Sequence, residues 1–143
     1  MYCYKYPHPA VTADCVVFNK GENLISVLLI KRKNEPYKDC WAFPGGFVNI
    51  DESAEDAAIR ELKEETGLVV SKLEQLKAYS NPNRDPRERV ITIAFIAESP
   101  IKEVKGGDDA KEARWFDISN LPILAFDHST ILQDAVYKLI NKK

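Results

Sequence analysis

Apolar residues along this chain fall into short, β-branched runs separated by polar turns, with helical spacing in two stretches. Residues 10–18 and 24–30 flank the turn Asn19-Lys20-Gly21-Glu22 and predict a hairpin. Trp41-Ala42-Phe43-Pro44-Gly45-Gly46-Phe47-Val48 predicts a short strand broken by a Pro-Gly-Gly turn. Residues 69–79 and 89–97 predict two more strands joined by the polar loop 80–88. A loop at residues 106–111 precedes a strand at 112–116. Ile131, Leu132, Ala135, Val136, Leu139 and Ile140 recur with helical spacing, so residues 127–140 predict an amphipathic helix. Tyr2, Tyr4 and Tyr6 alternate as on one face of a strand, which suggests core or interface packing. With no repeats, low-complexity stretches or linkers, the pattern fits one α/β domain over residues 1–143.

A second helix is expected over residues 53–66. Ser53-Ala54-Glu55-Asp56 reads as its start, with Ser53 or Asp51 as cap and acids in the first turn. Gly67 is a natural stop, because glycine tolerates the left-handed conformation past a helix end. At about 100° per residue, Glu61, Glu64 and Glu65 share an arc of roughly 100°. Ala58, Ile59, Leu62 and Thr66 occupy a neighbouring side that can pack on a sheet. Arg60 stands four residues before Glu64 and can pair with it or with Glu52. Three carboxylates this close repel one another, and divalent cations relieve the repulsion. Carboxylate oxygens suit Mg²⁺ or Mn²⁺, which typically sit on a few carboxylates plus substrate phosphates. The spacing therefore predicts a metal-dependent phosphate site.

A solvated acidic helix face would explain the glutamates alone. It leaves Gly46, Gly67, Arg60 and the fixed register of Glu52 unexplained. Residues 46–68 match, position for position, the signature box of the Nudix hydrolases, GX5EX7REUXEEXGU with U apolar, and the chain resembles that family. The resemblance implies cleavage of nucleoside diphosphates linked to a second moiety, X, with more than one Mg²⁺ or Mn²⁺ ion. It implies an α/β/α sandwich around a mixed, largely antiparallel sheet. By the same resemblance Glu61, Glu64 and Glu65 are metal ligands. Arg60 and Glu52 orient them, and the carbonyl of Gly45 or Gly46 is a further ligand.

Composition narrows the picture further. The chain of 143 residues carries a net charge of −2, so no broad basic balance argues for nucleic acid. Cys3, Cys15 and Cys40 are odd in number and lack CxxC spacing, which suggests free thiols in a reducing compartment. The longest apolar run, Val27-Leu28-Leu29-Ile30, cannot span a bilayer, and residues 1–7 lack an apolar signal core. A cytoplasmic protein is the expectation.

The box says little about X. The loop Ser80-Asn81-Pro82-Asn83-Arg84-Asp85-Pro86-Arg87 is a better guide, and Arg84 or Arg87 is expected to grip phosphate or stack on a base. It resembles the ADP-ribose pyrophosphatase branch, as do residues 7–14 and 125–128. That branch includes regulators fused to a C-terminal winged helix, and this chain is expected to correspond only to their Nudix half. Arg32, before the box, and Phe47, directly after the two glycines, are further candidates for substrate contact. Glu103, Asp108, Asp109 and Glu112 are candidates for the general base, with Glu112 preferred because it borders a strand. His128 is expected in the first helical turn without a ligand role. A homodimer is the family expectation. Two alternatives remain: a nucleoside triphosphate pyrophosphohydrolase, and a module that senses ADP-ribose without cleaving it.

Overall fold

The computed structural model describes residues 1–104, 106 and 110–141. Its centre is β1 (Ala10–Lys20), one edge of which pairs in parallel with β6 (Val90–Glu98) from Ala10↔Val90 to Phe18↔Glu98. The other edge of β1 is divided. Phe18 to Lys20 pair with β2 (Ile25–Arg32), while Thr12 to Asp14 pair with β4 (Gly45–Phe47). β2 is divided in the same way, with β1 at its start and β3 (Trp41–Ala42) opposite Ile30 and Lys31. The two long strands therefore splay apart beyond the hairpin, and β3 and β4 fill the gap. β5 (Glu74–Tyr79) flanks β6, and β7 (Ala110–Asp117) flanks β2, both antiparallel.

Side chains alternate across this mixed sheet, as strand geometry requires. Ala13, Cys15 and Val17 of β1 face α1 (Ala54–Thr66), joining Leu28, Phe95, Ala57, Ala58 and Leu62. Val16 and Phe18 face α2 (His128–Ile140), joining Leu29, Phe43, Ile96, Ile131, Leu132, Ala135 and Leu139. The result is the expected α/β/α sandwich. Burying one such large apolar side chain contributes about 1.5–3 kcal/mol, so both helices are held mainly by these faces.

Local signals explain the helix ends. Ser53, and not Asp51, caps α1: its hydroxyl accepts the Asp56 N–H at 3.0 Å. Gly67 closes the helix at φ 79°, where its N–H reaches the Lys63 carbonyl. The expected strand at 69–79 is shorter, because Leu68 and Val70 are buried in the core beneath α1 before β5 begins. Residues 2–6 form no strand. Tyr2, Tyr4 and Tyr6 are exposed, and Tyr4 rests on the His8 ring 4.2 Å away. Among the described residues no helix is long and apolar enough to cross a membrane.

Candidate active site

The gap between β1 and β2 opens into a cleft of about 570 Å³. Its lining includes five cationic side chains (Arg32, Lys33, Arg60, Arg84, Arg87) and five acidic ones (Asp14, Glu35, Glu61, Glu65, Asp85). The described lining is thus balanced in charge, and an anionic ligand gains little from net potential alone.

One wall is the junction of α1 with β4. Arg60 is its hub: Nε and Nη2 meet Glu52 at 3.0 and 2.6 Å, Nη1 reaches Glu61 and Glu64, and Nη2 also contacts the Phe47 carbonyl. The hydrogen bonds that Arg60 donates to Glu52 raise the Arg60 pKa and lower that of Glu52. Glu65 differs from Glu61 and Glu64. It is 5% exposed, and its Oε1 accepts the Gly45 N–H at 2.8 Å, tying the helix to the glycine strand.

The glycines have a physical reason. A Cβ at Gly46 would collide with the Glu61 carboxylate, and one at Gly45 would collide with the Ala13 carbonyl and the Asp14 side chain. The ladder also separates their backbone groups. Cys15 N–H donates to Pro44 O and Val48 N–H to Val11 O, both at 2.9 Å, so Gly46 falls in the hydrogen-bonded register opposite Ala13. Gly45, in the alternate register, turns its N–H and C=O away from β1.

The carboxylates of Glu61, Glu64 and Glu65, with an outward carbonyl, are the hard oxygen donors that Mg²⁺ and Mn²⁺ take. As the side chains stand, no three His, Cys, Asp or Glu groups among the described residues converge tightly enough to hold an ion. Arg60 lies between Glu61 and Glu64 and supplies their counter-charge in this arrangement.

The loop arginines also line the cleft. Arg84 makes a bidentate pair with Asp127, at 2.9 and 2.7 Å, and its side chain is 4% exposed. Arg87 is held by Asp85, whose side chain is 2% exposed. Burial works against the Asp85 charge, but hydrogen bonds from Arg87 outweigh it and the pKa falls. The Arg87 guanidinium lies 5.6 Å from both the Phe47 and Phe126 rings. Arg32 lies 5.0 Å from the other ring neighbour, Phe126, and its Nε donates to the Pro36 carbonyl. Arg32, Phe47, Arg84 and Arg87 are therefore all brought to the cleft.

Glu112 is not brought there. It lies on β7, pairs with Arg114 at 2.7 Å, and is absent from the cleft lining. Strand alternation explains this: its neighbour Ala113 packs against Ile30 and Ala42 at the cleft, which turns Glu112 to the other face. Glu103 is exposed, and Asp108 and Asp109 lie outside the described residues.

Two buried groups at the cleft floor were not singled out from the sequence as site residues. Asp14 accepts the Thr92 hydroxyl at 2.6 Å, and His128 Nε2 stands 3.7 Å from the same carboxylate oxygen. His128 Nδ1 accepts the Phe43 N–H at 3.2 Å, which leaves the ring proton on Nε2 facing Asp14. Burial lowers the His128 pKa despite Asp14 and Asp127 nearby. A lone acid inside an apolar strand was the available signal for Asp14. His128 does begin α2, as expected.

The chain as a whole is similar to known proteins in sequence and in fold. The NUDIX domain model matches residues 8–135. The chain is 53% identical over 129 residues to an ADP-ribose pyrophosphatase of Methanocaldococcus jannaschii, covering 90% of this chain and 74% of that protein. Its structure is similar to the NUDIX domain of Shewanella oneidensis NrtR complexed with ADP ribose, with a TM-score of 0.88, 29% identity, and coverage of 94% and 90%. A bifunctional NMN adenylyltransferase/ADP ribose pyrophosphatase from Francisella tularensis, complexed with AMP and a manganese ion, has a TM-score of 0.82 at 28% identity. The match covers 94% of this chain and 43% of that one. The chain belongs to the Nudix family of hydrolases, and its cleft brings Glu61 and Glu65 together with Arg84 and Arg87.

Proposed function

We propose that this protein hydrolyses the diphosphate bond of ADP-ribose, or of a closely related nucleoside diphosphate linked to X, giving AMP and ribose 5-phosphate. The observation that carries the reading is the single cleft that joins Glu61 and Glu65 to Arg84 and Arg87. Its volume lies within the range typical of small-molecule sites, and the curated relative at 53% identity is an ADP-ribose pyrophosphatase.

In this reading Glu61, Glu64 and Glu65 hold Mg²⁺ or Mn²⁺, more than one ion, with the outward carbonyl of Gly45 favoured over that of Gly46. Bound metal supplies Lewis-acid polarisation of the phosphates and a hydroxide nucleophile near neutral pH. Arg60 and Glu52 orient the acids, and a bound cation would take over from Arg60 as the counter-charge to Glu61 and Glu64. Arg32, Arg84 and Arg87 bind phosphate, and Phe47 offers a face to a planar group. Water adds to one phosphorus, the bridging P–O bond breaks, and the leaving oxygen departs on the other phosphate. We assign no general base: Glu112 lies off the cleft, and Asp14 is occupied by Thr92 and His128.

We further propose a single Nudix domain, a cytoplasmic location and a homodimer, with no nucleic-acid or membrane partner. The exposed Tyr2, Tyr4 and Tyr6 offer a contact surface for the dimer. Rates on ADP-ribose and on a dNTP panel in Mg²⁺ test the substrate assignment. ADP-ribose should be preferred by at least tenfold in kcat/KM; a dNTP preference would assign the triphosphate reaction instead.

A further inference from the structure

Three consecutive residues at the start of α2 each meet a different part of the cleft. Phe126, at φ 51°, places its ring beside Arg32 and Arg87. His128 takes the Phe43 N–H. Between them, Asp127 stands at the helix N-cap, where an aspartate normally accepts a backbone N–H of the first turn. It makes no such bond. Both carboxylate oxygens go instead to Arg84, 43 residues away in sequence.

The geometry of Arg84 follows from this. Its Nε and Nη2 edge is held by Asp127, its side chain is almost fully buried, and it lines the cleft. Nη1 makes no hydrogen bond among the described residues. A planar guanidinium gripped along one edge cannot turn, so its remaining N–H groups have a fixed direction. A flexible surface arginine would lose side-chain entropy on binding, whereas this one is already ordered.

We propose that Asp127 is a positioning residue that presents Arg84 Nη1 as a pre-ordered donor to a non-bridging phosphate oxygen of the nucleoside diphosphate. This rests on the reading of the cleft as a diphosphate site. The N-cap of α2 is given over to recognition, and the helix start is held by packing around Ile131 and Leu132.

The test compares Asp127→Asn, Arg84→Gln and the double variant Arg84→Gln/Asp127→Ser. Serine is itself a good N-cap, and removing both charges leaves no unpaired ion in the interior. KM and kcat for ADP-ribose, inhibition by inorganic pyrophosphate, and Tm are read for each. The single variants should raise KM roughly tenfold or more, with kcat within about threefold. The double variant should recover Tm yet keep the raised KM, and pyrophosphate inhibition should weaken in parallel. Recovery of KM along with Tm would show that the pair is only structural and overturn the proposal. Unchanged pyrophosphate inhibition would overturn the phosphate assignment. If the native protein released no AMP, the hydrolase reading would fail separately, and calorimetric binding of pyrophosphate would still decide the role of Asp127.

Discussion

The Glu61 carboxylate stands where a side chain on Gly46 would have to be. The glycine of the box is thus a notch for its own glutamate, and the two positions are one unit. Gly46→Ala should fold, because the clash is with the far end of a flexible side chain, but Glu61 must move. A misplacement of about 1 Å can cost on the order of 10²-fold in rate, and that loss in kcat is expected. Gly45→Ala meets backbone at Ala13 and Asp14 instead. Strain there should destabilise by about 1–3 kcal/mol. Steady-state kinetics and thermal melts on the two variants should separate these effects. Equal Tm losses would contradict the assignment.

Glu64 sits outside the cleft lining, paired with Arg60 on a part of α1 that is open to solvent. Exposed pairs of this kind contribute about 0–1 kcal/mol, so Glu64→Gln should leave Tm nearly unchanged. If Glu64 is a metal ligand, kcat should fall by on the order of 10²–10³. Near-normal turnover would remove it from the metal set.

Arg60 supplies the counter-charge to Glu52, Glu61 and Glu64. Without it Glu61 and Glu64 repel each other along the helix, and Glu52 loses its partner. Arg60→Ala should melt lower than the native protein in EDTA and gain more stability on adding Mg²⁺. A Mg²⁺-induced Tm shift equal to that of the native protein would argue that arginine and metal do not share these carboxylates.

His128 predicts a pH dependence of stability. Burial depresses its folded-state pKa below the ordinary 6.5; Asp14 and Asp127 oppose the shift, while Arg84 and Arg32 add to it. In the unfolded chain the imidazole titrates near its ordinary value, so that state binds the proton first as pH falls. The contribution is therefore complete above about pH 6.5 and is lost as pH drops through the folded value. Tm should fall between pH 7 and 5. His128→Asn, which keeps an acceptor for the Phe43 N–H, should flatten that slope. An unchanged slope would place the titration elsewhere.

Much of this was legible beforehand because local patterns carry it. The spacing of Glu61, Glu64 and Glu65, the Ser53 cap and the Gly67 stop are all encoded within one helix and its ends. The hairpin followed from its turn, and both amphipathic helices from their apolar faces. What escaped depends on pairing between distant segments. The burial of Asp14 depends on β1 meeting β4 and β6, and the grip on Arg84 depends on α2 returning to a loop 43 residues earlier. Glu112 lies off the cleft for the same reason, since the register of β7 on β2 decides which face it shows.

Diphosphate hydrolysis in the cleft between β1 and β2 is tested by incubating the purified protein with ADP-ribose in Mg²⁺ and identifying the products by mass spectrometry. AMP and ribose 5-phosphate are expected in equal amounts, with neither formed in EDTA. Tight binding of ADP-ribose with no AMP released in Mg²⁺ would contradict hydrolysis and make the protein a sensor.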